Sequence, residues 1–522
     1  MLRKYILFYV LLLSSTVLFS QKEDVIVNRM SQTILAEDLK SYLKILTSEE
    51  QEGRETGKKG QKLAAQFLSG KMKEFGLKPG NDTSFFQLFT VHELKPGGFI
   101  EADGIKHEFL KDFYFLPGIK DTVISCMEIV FAGYGIEDEK YSDYKNVNVK
   151  GKVILILEGE PLGKDSISLI SGTKKPSFWA HDIRKKSALA KDKGARAVLY
   201  YSKAFSASKS KFHHFIEKPT MVLKEEYNQK DGDRGRMNFF YFGDTLLNKI
   251  LTKNPAAKKE LTKLINTGGR PKKYPFVKSN FKIEIKRTAS EVTTENVIGI
   301  IEGTDKKEEA IIITAHYDHL GKQGSDIYYG ADDDGSGTAA ILEIAQAFME
   351  ASKNGNRPRR TIIIMPVSGE EKGLLGSRYF TLHPVFPLTQ IVADLNIDMI
   401  GRRDEKYKDD PDYVYVIGSE MLSTDLKNIS EEANQKSVQL KLDYTYDDPD
   451  DPNKFYYRSD HYNFAKNNIP VIFYFCGVHE DYHKPSDTYD KIEFGKMEKI
   501  TRLVFYTAWD LANREERIKL KE

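Results

Sequence analysis

The chain has 522 residues, enough for two domains and a large core. Its composition, 40% hydrophobic and 30% charged, is that of a globular protein and excludes a disordered or fibrous chain. The net charge of +2 at pH 7 lacks the imbalance of a nucleic-acid binder or of a protein held on an anionic membrane.

In chain order, Arg3 and Lys4 precede an apolar run from Tyr5 to Phe19, and polar sequence follows from Gln21. The run is too short to span a bilayer and predicts a secretory signal peptide over 1–20, cleaved near Ser20–Gln21. Export to the periplasm or the extracellular space follows, with no stable membrane association after cleavage. Cys126 and Cys476 fall in different predicted domains and are expected as free thiols.

Residues 33–78 read as helical with a break near Gly53, because Leu63, Ala64, Phe67, Leu68, Met72 and Phe75 recur at helical spacing and Gly76 ends the run. This segment, 21–114, is expected to be the first part of the main domain. Short β-like runs (Ile129 to Gly135, Val153 to Leu157, Ala197 to Tyr201, Met221 to Leu223) predict a strand-rich insert with few helices over 115–275. Its His213-His214 pair reads as surface. The Lys-, Pro- and Gly-rich stretch from Asn266 to Lys278 predicts the boundary, with 276–522 as the rest of the main domain.

Beyond the boundary the pattern alternates. Ala310 to Ala315, Arg360 to Val367, Ile391 to Met399 and Val471 to Phe475 are apolar strands. Gly337 to Ser352 and Lys496 to Asn513 are helices, the first with Asp334 or Ser336 as its cap. The expected fold class is α/β, a mixed, mainly parallel sheet sandwiched by helices with the β-rich insert. Ligands of such sheets bind beyond the C-terminal strand ends.

Chemistry-bearing residues sit at those ends. His316 and Asp318, two apart in TAHYDH, share a face, and a carboxylate on the second ring nitrogen would fix a ligating imidazole. His319 is then expected on the other face, in a structural role. Asp333 in YYGADDDGSG is flanked by small residues that let backbone approach an ion; Asp332 and Asp334 are expected to cap or solvate the loop. Glu370 and Glu371 are neighbours that would repel if both were free, which suits one ligand and one general base. Asp398 in NIDMIG and His483 in DYHKPSDT complete the set. Two histidines and three carboxylates suit zinc with an open coordination position, and two ions sharing Asp333 would hold a water and a substrate carbonyl between them. The acid-dense segment Asp447-Asp448-Pro449-Asp450-Asp451-Pro452 reads as a solvated acidic loop or, alternatively, as a border of the cleft that attracts a peptide's ammonium group, with Arg458 opposing it.

These blocks, in this order and together with GRETG at Gly53 to Gly57, resemble metallopeptidase family 28, the dizinc aminopeptidases and glutamate carboxypeptidases. The resemblance implies two Zn²⁺ ions per chain. His316 and Asp398 would hold one, Glu371 and His483 the other, and Asp333 would bridge them. Asp318 would orient His316, Glu370 would be the general base, and Tyr456, four residues before Asp460, would stabilise the oxyanion. The Asp333–Asp334 peptide would be cis. VFAGYGI, VKGKVILILEGEP and GARAVLYYS in the insert resemble a protease-associated domain. The expected activity is that of a secreted zinc aminopeptidase acting on peptide substrates, or alternatively a glutamate carboxypeptidase-like enzyme acting on small acidic peptides.

Overall fold

The computed structural model describes residues 24–145, 147–227 and 237–521, without the side chains of 213–215. The predicted signal peptide over 1–20 and the His213-His214 side chains therefore lie outside the described residues. Two compact units result: one from the chain up to Val91 and from Val292 onward, the other from His92 to Glu291.

The first unit is a mixed sheet of eight strands. They are β1 (Lys78–Pro79), β2 (Gly299–Ile301), β3 (Lys306–His316), β4 (Arg360–Val367), β5 (Ile391–Ile397), β6 (Tyr413–Ile417), β7 (Lys441–Asp443) and β8 (Val471–Phe475). The spatial order is β1-β2-β4-β3-β5-β8-β6-β7. The central strands β4, β3, β5 and β8 run parallel, and antiparallel pairs at β2/β4 and β8/β6 flank them. The strands are apolar on both faces because both faces are covered. Ile311, Ile313 and Ala315 point into one core, shared with Leu39, Leu43, Leu68, Met72 and Phe505. Ala310 and Ile312 point the other way, against Phe380 and Phe464. The period of two along β3 sorts its side chains between two helical layers.

The first layer contains α1 (Ala36–Leu46), α2 (Lys59–Phe75), α3 (Gly337–Lys353) and α6 (Phe494–Asn513); α4 (Leu375–Leu382) and α5 (Thr424–Lys436) complete the main helices. The predicted break near Gly53 is a 3₁₀ turn over Glu49–Arg54. Gly53 has φ +68°, and a Cβ there would meet the carbonyl oxygen of Tyr328 at 2.4 Å, so only glycine admits this approach. At the start of α3, Ser336 makes no side-chain cap; Asp334 Oδ1 accepts from Gly337 N at 2.8 Å.

The second unit also holds a sheet of eight strands. Val153–Leu157 and Ala197–Tyr201 lie at its centre, as their uninterrupted apolar runs predict. It departs from expectation in two ways. It is wider than 115–275, because Gly98–Ala102 and Phe276–Ile285 pair within its sheet. The Gly268-Gly269 stretch is an internal loop after a helix, not the end of the unit. It also carries more helix than foreseen, including Phe205–Glu217, Asp244–Leu251 and Pro255–Thr267. Leu247, Ile250, Leu251, Leu261 and Leu264 form the buried helical stripe there. Cys126 and Cys476 are both free.

Candidate metal centre

Four parallel strands deliver the candidate residues to one edge of the sheet. His316 closes β3, Glu370 and Glu371 follow β4, Asp398 follows β5, and His483 lies on the loop after β8. Asp333 comes from the turn Ala331–Ser336 that leads into α3, and its peptide bond to Asp334 is cis. The side chains of His316, Asp333, Asp398 and Glu371 are nearly or fully enclosed, and His483 is partly exposed.

The two oxygens of Asp333 face different histidines. Oδ1 is 3.2 Å from His316 Nε2, and Oδ2 is 3.1 Å from His483 Nε2. His316 Nε2 also lies 3.6 Å from Asp398 Oδ1, and His483 Nε2 lies 3.3 Å from Glu371 Oε1. All five expected ligands therefore meet, with Asp333 between the two halves. Asp333 Oδ2 and Glu371 Oε1 are buried beside histidine nitrogens that are close but not aligned to donate to them. Buried carboxylate oxygens are costly to leave unpaired, so this donor set fits a cation.

Asp334 also lies near His316 and Asp398. Its carboxylate is already committed, accepting from the backbone N–H groups of His316, Gly337 and Met399. It fixes the backbone around the site and has little left for an ion. Asp332 is similarly occupied, taking Gly401 N at 2.6 Å and facing His479.

Three residues behave differently from expectation. Asp318 does sit behind His316, but His316 Nδ1 meets its backbone carbonyl at 3.0 Å; the nearer carboxylate oxygen is 3.9 Å away. That carboxylate instead accepts from Thr56 Oγ1 at 2.7 Å and from Glu370 N at 3.2 Å, tying the two glutamates' loop to the strand end. His319 is not on an opposite face. It is fully buried, its Nδ1 is 2.9 Å from Glu371 Oε1 and 3.9 Å from Asp333 Oδ2, and it belongs to the same cluster. Alternation of faces holds only within a pleated strand, and β3 ends at His316. Tyr456 is half-buried, packed among Tyr457, His461 and Tyr462. The tyrosine lining the cleft with His316 and Glu370 is Tyr482, whose ring stacks on His483 at 3.8 Å.

Electrostatics separates the two glutamates. Burial, with Glu371, Asp398 and Asp460 nearby, drives Glu370 well above the usual carboxyl range. Burial would raise Glu371 too, but His319 and His483 outweigh it and hold Glu371 at about 2. Adjacent carboxyls pushed in opposite directions are the arrangement expected of a proton carrier beside a permanent anion. Burial opposes charge on His316, yet Asp398, Glu370 and Asp333 lift it well above its ordinary value.

The cleft is otherwise apolar, lined by Phe455, Phe473, Phe475 and Val478, with Arg458 at its side. The acidic segment before Tyr456 does not line it. Asp447 accepts from Gly418 N and Ser419 Oγ, Asp448 from Asp450 N, and Asp451 from Asn453 N and Phe455 N. Asp448 and Asp451 cap their own turns and Asp447 reaches across to the Gly418-Ser419 loop, so the segment is a structured loop and not a wall of the cleft.

Further support comes from GRETG. Arg54 is completely buried and donates to the carbonyls of Tyr317, Leu46, Tyr329 and Gly330 at 2.7–2.8 Å. Asp487 accepts from the N–H groups of Asp332 and Asp333. The GRETG motif is visible in the sequence, but neither set of contacts has a sequence signal of its own.

The chain is thus a covered, mixed α/β sheet with histidines and carboxylates gathered at its parallel strand ends. Residues 296–508 match the model of Peptidase family M28. It is 32% identical over 214 residues to a probable leucine aminopeptidase of Arthroderma otae, covering 40% of this chain and 55% of that one. It is 40% identical over 105 residues to a probable glutamate carboxypeptidase of Arabidopsis thaliana, covering 20% of this chain and 14% of that one. The matches thus span less than two thirds of these relatives' own lengths. Among solved structures, a zinc aminopeptidase from Bacillus subtilis shares the fold, with a TM-score of 0.51 at 19% identity over 94% of this chain and 98% of that one. Among the described residues, no helix is long and apolar enough to cross a membrane.

Proposed function

We propose that the chain is an exported, zinc-dependent exopeptidase that hydrolyses peptide bonds at peptide N-termini. The observation that carries the reading is the placement of Asp333 between His316 and His483, beside Glu370 and Glu371 at the same strand ends. His316 and Asp398 would hold one Zn²⁺, Glu371 and His483 the other, with Asp333 shared. When bound, the ions supply Lewis acidity and make water acidic enough to attack near neutral pH. Glu370 accepts the proton of the attacking water and returns it to the leaving nitrogen; its raised affinity for a proton suits both transfers. Asp318 and Thr56 keep His316 and the Glu370 loop in register. Either Tyr456, by resemblance, or Tyr482, by its place in the cleft, would polarise the substrate carbonyl.

The aminopeptidase reading draws support from the names of the fungal relative and the Bacillus subtilis structure. The second reading, a glutamate carboxypeptidase-like enzyme on small acidic peptides, is favoured by the plant relative's name and by Arg458 in the cleft. We read the unit His92–Glu291 as a protease-associated insert.

The test uses zinc-loaded full-length protein, a leucine-headed peptide and its N-acetylated form. Cleavage of the free peptide, abolished by a strong chelator and restored by Zn²⁺ or Co²⁺, is the expected result. Full activity in exhaustively metal-free protein removes the zinc reading. Equal cleavage of the acetylated peptide removes the aminopeptidase one.

A further inference from the structure

We infer that Arg458 is the cleft's anchor for a substrate carboxylate on the residue that leaves, so that the preferred substrates are short peptides bearing a carboxylate just beyond the cleaved bond. This rests on the exopeptidase reading and narrows its substrate class.

Four observations lead there. Arg458 lines the same cleft as His316, Asp333, Glu370 and Asp398. Its guanidinium makes no ion pair among the described residues; its hydrogen bond is to Tyr482 Oη at 3.4 Å. It lies over the ring of Phe455, 4.8 Å from the centroid, a contact that favours keeping the fork against the apolar floor. The acids before it in the chain are engaged elsewhere, Asp447 with Gly418 N and Ser419 Oγ and Asp451 with Asn453 N and Phe455 N. An unpaired guanidinium over an apolar floor is suited to bidentate binding of a carboxylate.

The charge balance points the same way. Among the described residues lining the cleft, Arg458 is the one permanent cation. Arg458 then leaves the cleft's side positive. A positive wall rejects a second ammonium group and welcomes a carboxylate. Two sources present that group: the C-terminal carboxylate of a dipeptide, or the side chain of an acidic residue after the cleaved bond. Phe455, Phe473, Phe475 and Val478 would cover the apolar parts of either.

The experiment compares Leu-Ala, Leu-Ala amide and Leu-Glu amide on zinc-loaded wild type, Arg458→Gln and Arg458→Lys. Wild type should favour Leu-Ala over its amide by about tenfold or more in kcat/KM, through KM, the scale of a charge-assisted hydrogen bond. Arg458→Gln should bring that ratio near one, and Arg458→Lys should restore only part of it. Leu-Glu amide cleaved as well as Leu-Ala marks the side chain as a sufficient source; cleaved as poorly as Leu-Ala amide, it marks the terminal carboxylate. Equal wild-type use of acid and amides overturns the anchor. If no peptide is cleaved, the exopeptidase reading fails by itself, and calorimetry decides the anchor separately. Glu370→Gln protein should bind Leu-Ala more tightly than Leu-Ala amide, and Glu370→Gln/Arg458→Gln should not. Identical binding of both ligands by Glu370→Gln protein also overturns the anchor.

Discussion

Replacing Arg54 with methionine should damage the site from a position that touches none of its ligands. Arg54 Nε, Nη1 and Nη2 bind four backbone carbonyls, those of Tyr317, Leu46, Tyr329 and Gly330. Gly330 O keeps a second donor, Gly335 N at 3.1 Å. The carbonyls of Leu46, Tyr317 and Tyr329 lose the guanidinium. A buried acceptor left without its donor costs about 1–3 kcal/mol. Three such losses within one network, partly relaxed by water or local shifts, come to about 4 kcal/mol, at the upper end for a single substitution. A buried charge also carries a desolvation penalty, and burial does lower the Arg54 pKa against the pull of Asp487, Asp333, Asp334 and Asp318. Removing a charge can therefore stabilise when apolar groups replace both partners. Here the partners are main-chain carbonyls that no substitution removes, so the loss should win.

The functional consequence is separate from the stability cost. Tyr317 O adjoins His316, and Gly330 O begins the loop that carries Asp333, so Arg54 fastens one ligand's strand to the other ligand's turn. Arg54→Met should lower the midpoint of denaturant unfolding with m unchanged, and should release zinc to a competing chelator more readily under native conditions. Arg54→Lys keeps the charge without the fork and should fall between the two. Stability within about 1 kcal/mol of wild type and unaltered zinc affinity would refute the reasoning, since a change that small is ordinary for exposed surface.

Glu370→Gln should retain both metal equivalents and its unfolding midpoint while losing at least ~10²–10⁴-fold in kcat, the usual range for a general base; loss of zinc instead would exchange the roles of Glu370 and Glu371. Stability should also carry a pH signature from Glu343, which burial, aided by Asp38 and Glu498, raises from 4.5 to about 7. The folded state then holds a proton that the unfolded state releases, so this group's contribution is full below pH 4.5 and declines as pH rises to about 7. Glu343→Gln should flatten that part of the stability profile, as measured by denaturant midpoints from about pH 4 to about pH 8; an unchanged slope would assign it to other groups.

The sequence discloses the candidate cluster because metal chemistry restricts residue type. Histidine or carboxylate beside small residues at the end of an apolar strand has few roles besides ion binding, and His316, Asp333, Glu371, Asp398 and His483 all converge. It conceals whatever depends on which atom is used. Asp318 supports His316 through its carbonyl, and no residue pattern separates that from support through its carboxylate. His319 escapes the alternation rule because it lies beyond the end of β3, where the pleat no longer sets which way a side chain points. The Asp447 to Asp451 segment misleads because sequence counts its charge, whereas Asp448 and Asp451 accept from their own turns and Asp447 from the distant Gly418-Ser419 loop. The widths of the units were hidden by Gly268-Gly269, which ends a helix and looks the same whether a domain stops or the chain merely turns.

GRETG shows why the segment matched by the family model is not self-sufficient. Gly53 approaches the Tyr328 carbonyl, Arg54 holds Tyr317, Tyr329 and Gly330, Glu55 pairs with Lys372 beside Glu371, and Thr56 holds Asp318. Four consecutive residues from before the insert thus brace the loops of His316, Asp333 and Glu371. The helices on either side of them, α1 and α2, contribute Leu39, Leu43, Leu46, Leu68 and Met72 to the core shared with β3 and β4. Burying five such side chains at about 2 kcal/mol each contributes on the order of 10 kcal/mol, comparable to the whole stability of a domain. A fragment of residues 292–522 keeps all five proposed ligands, yet should expose that face and lack the brace. We expect it to show no cooperative unfolding transition and no stoichiometric zinc binding, measured by calorimetric melting and metal analysis after gel filtration. A fragment that melts cooperatively and retains two zinc ions would mean that the ligands' own loops suffice, and that the bracing by Gly53 to Thr56 contributes little to the site.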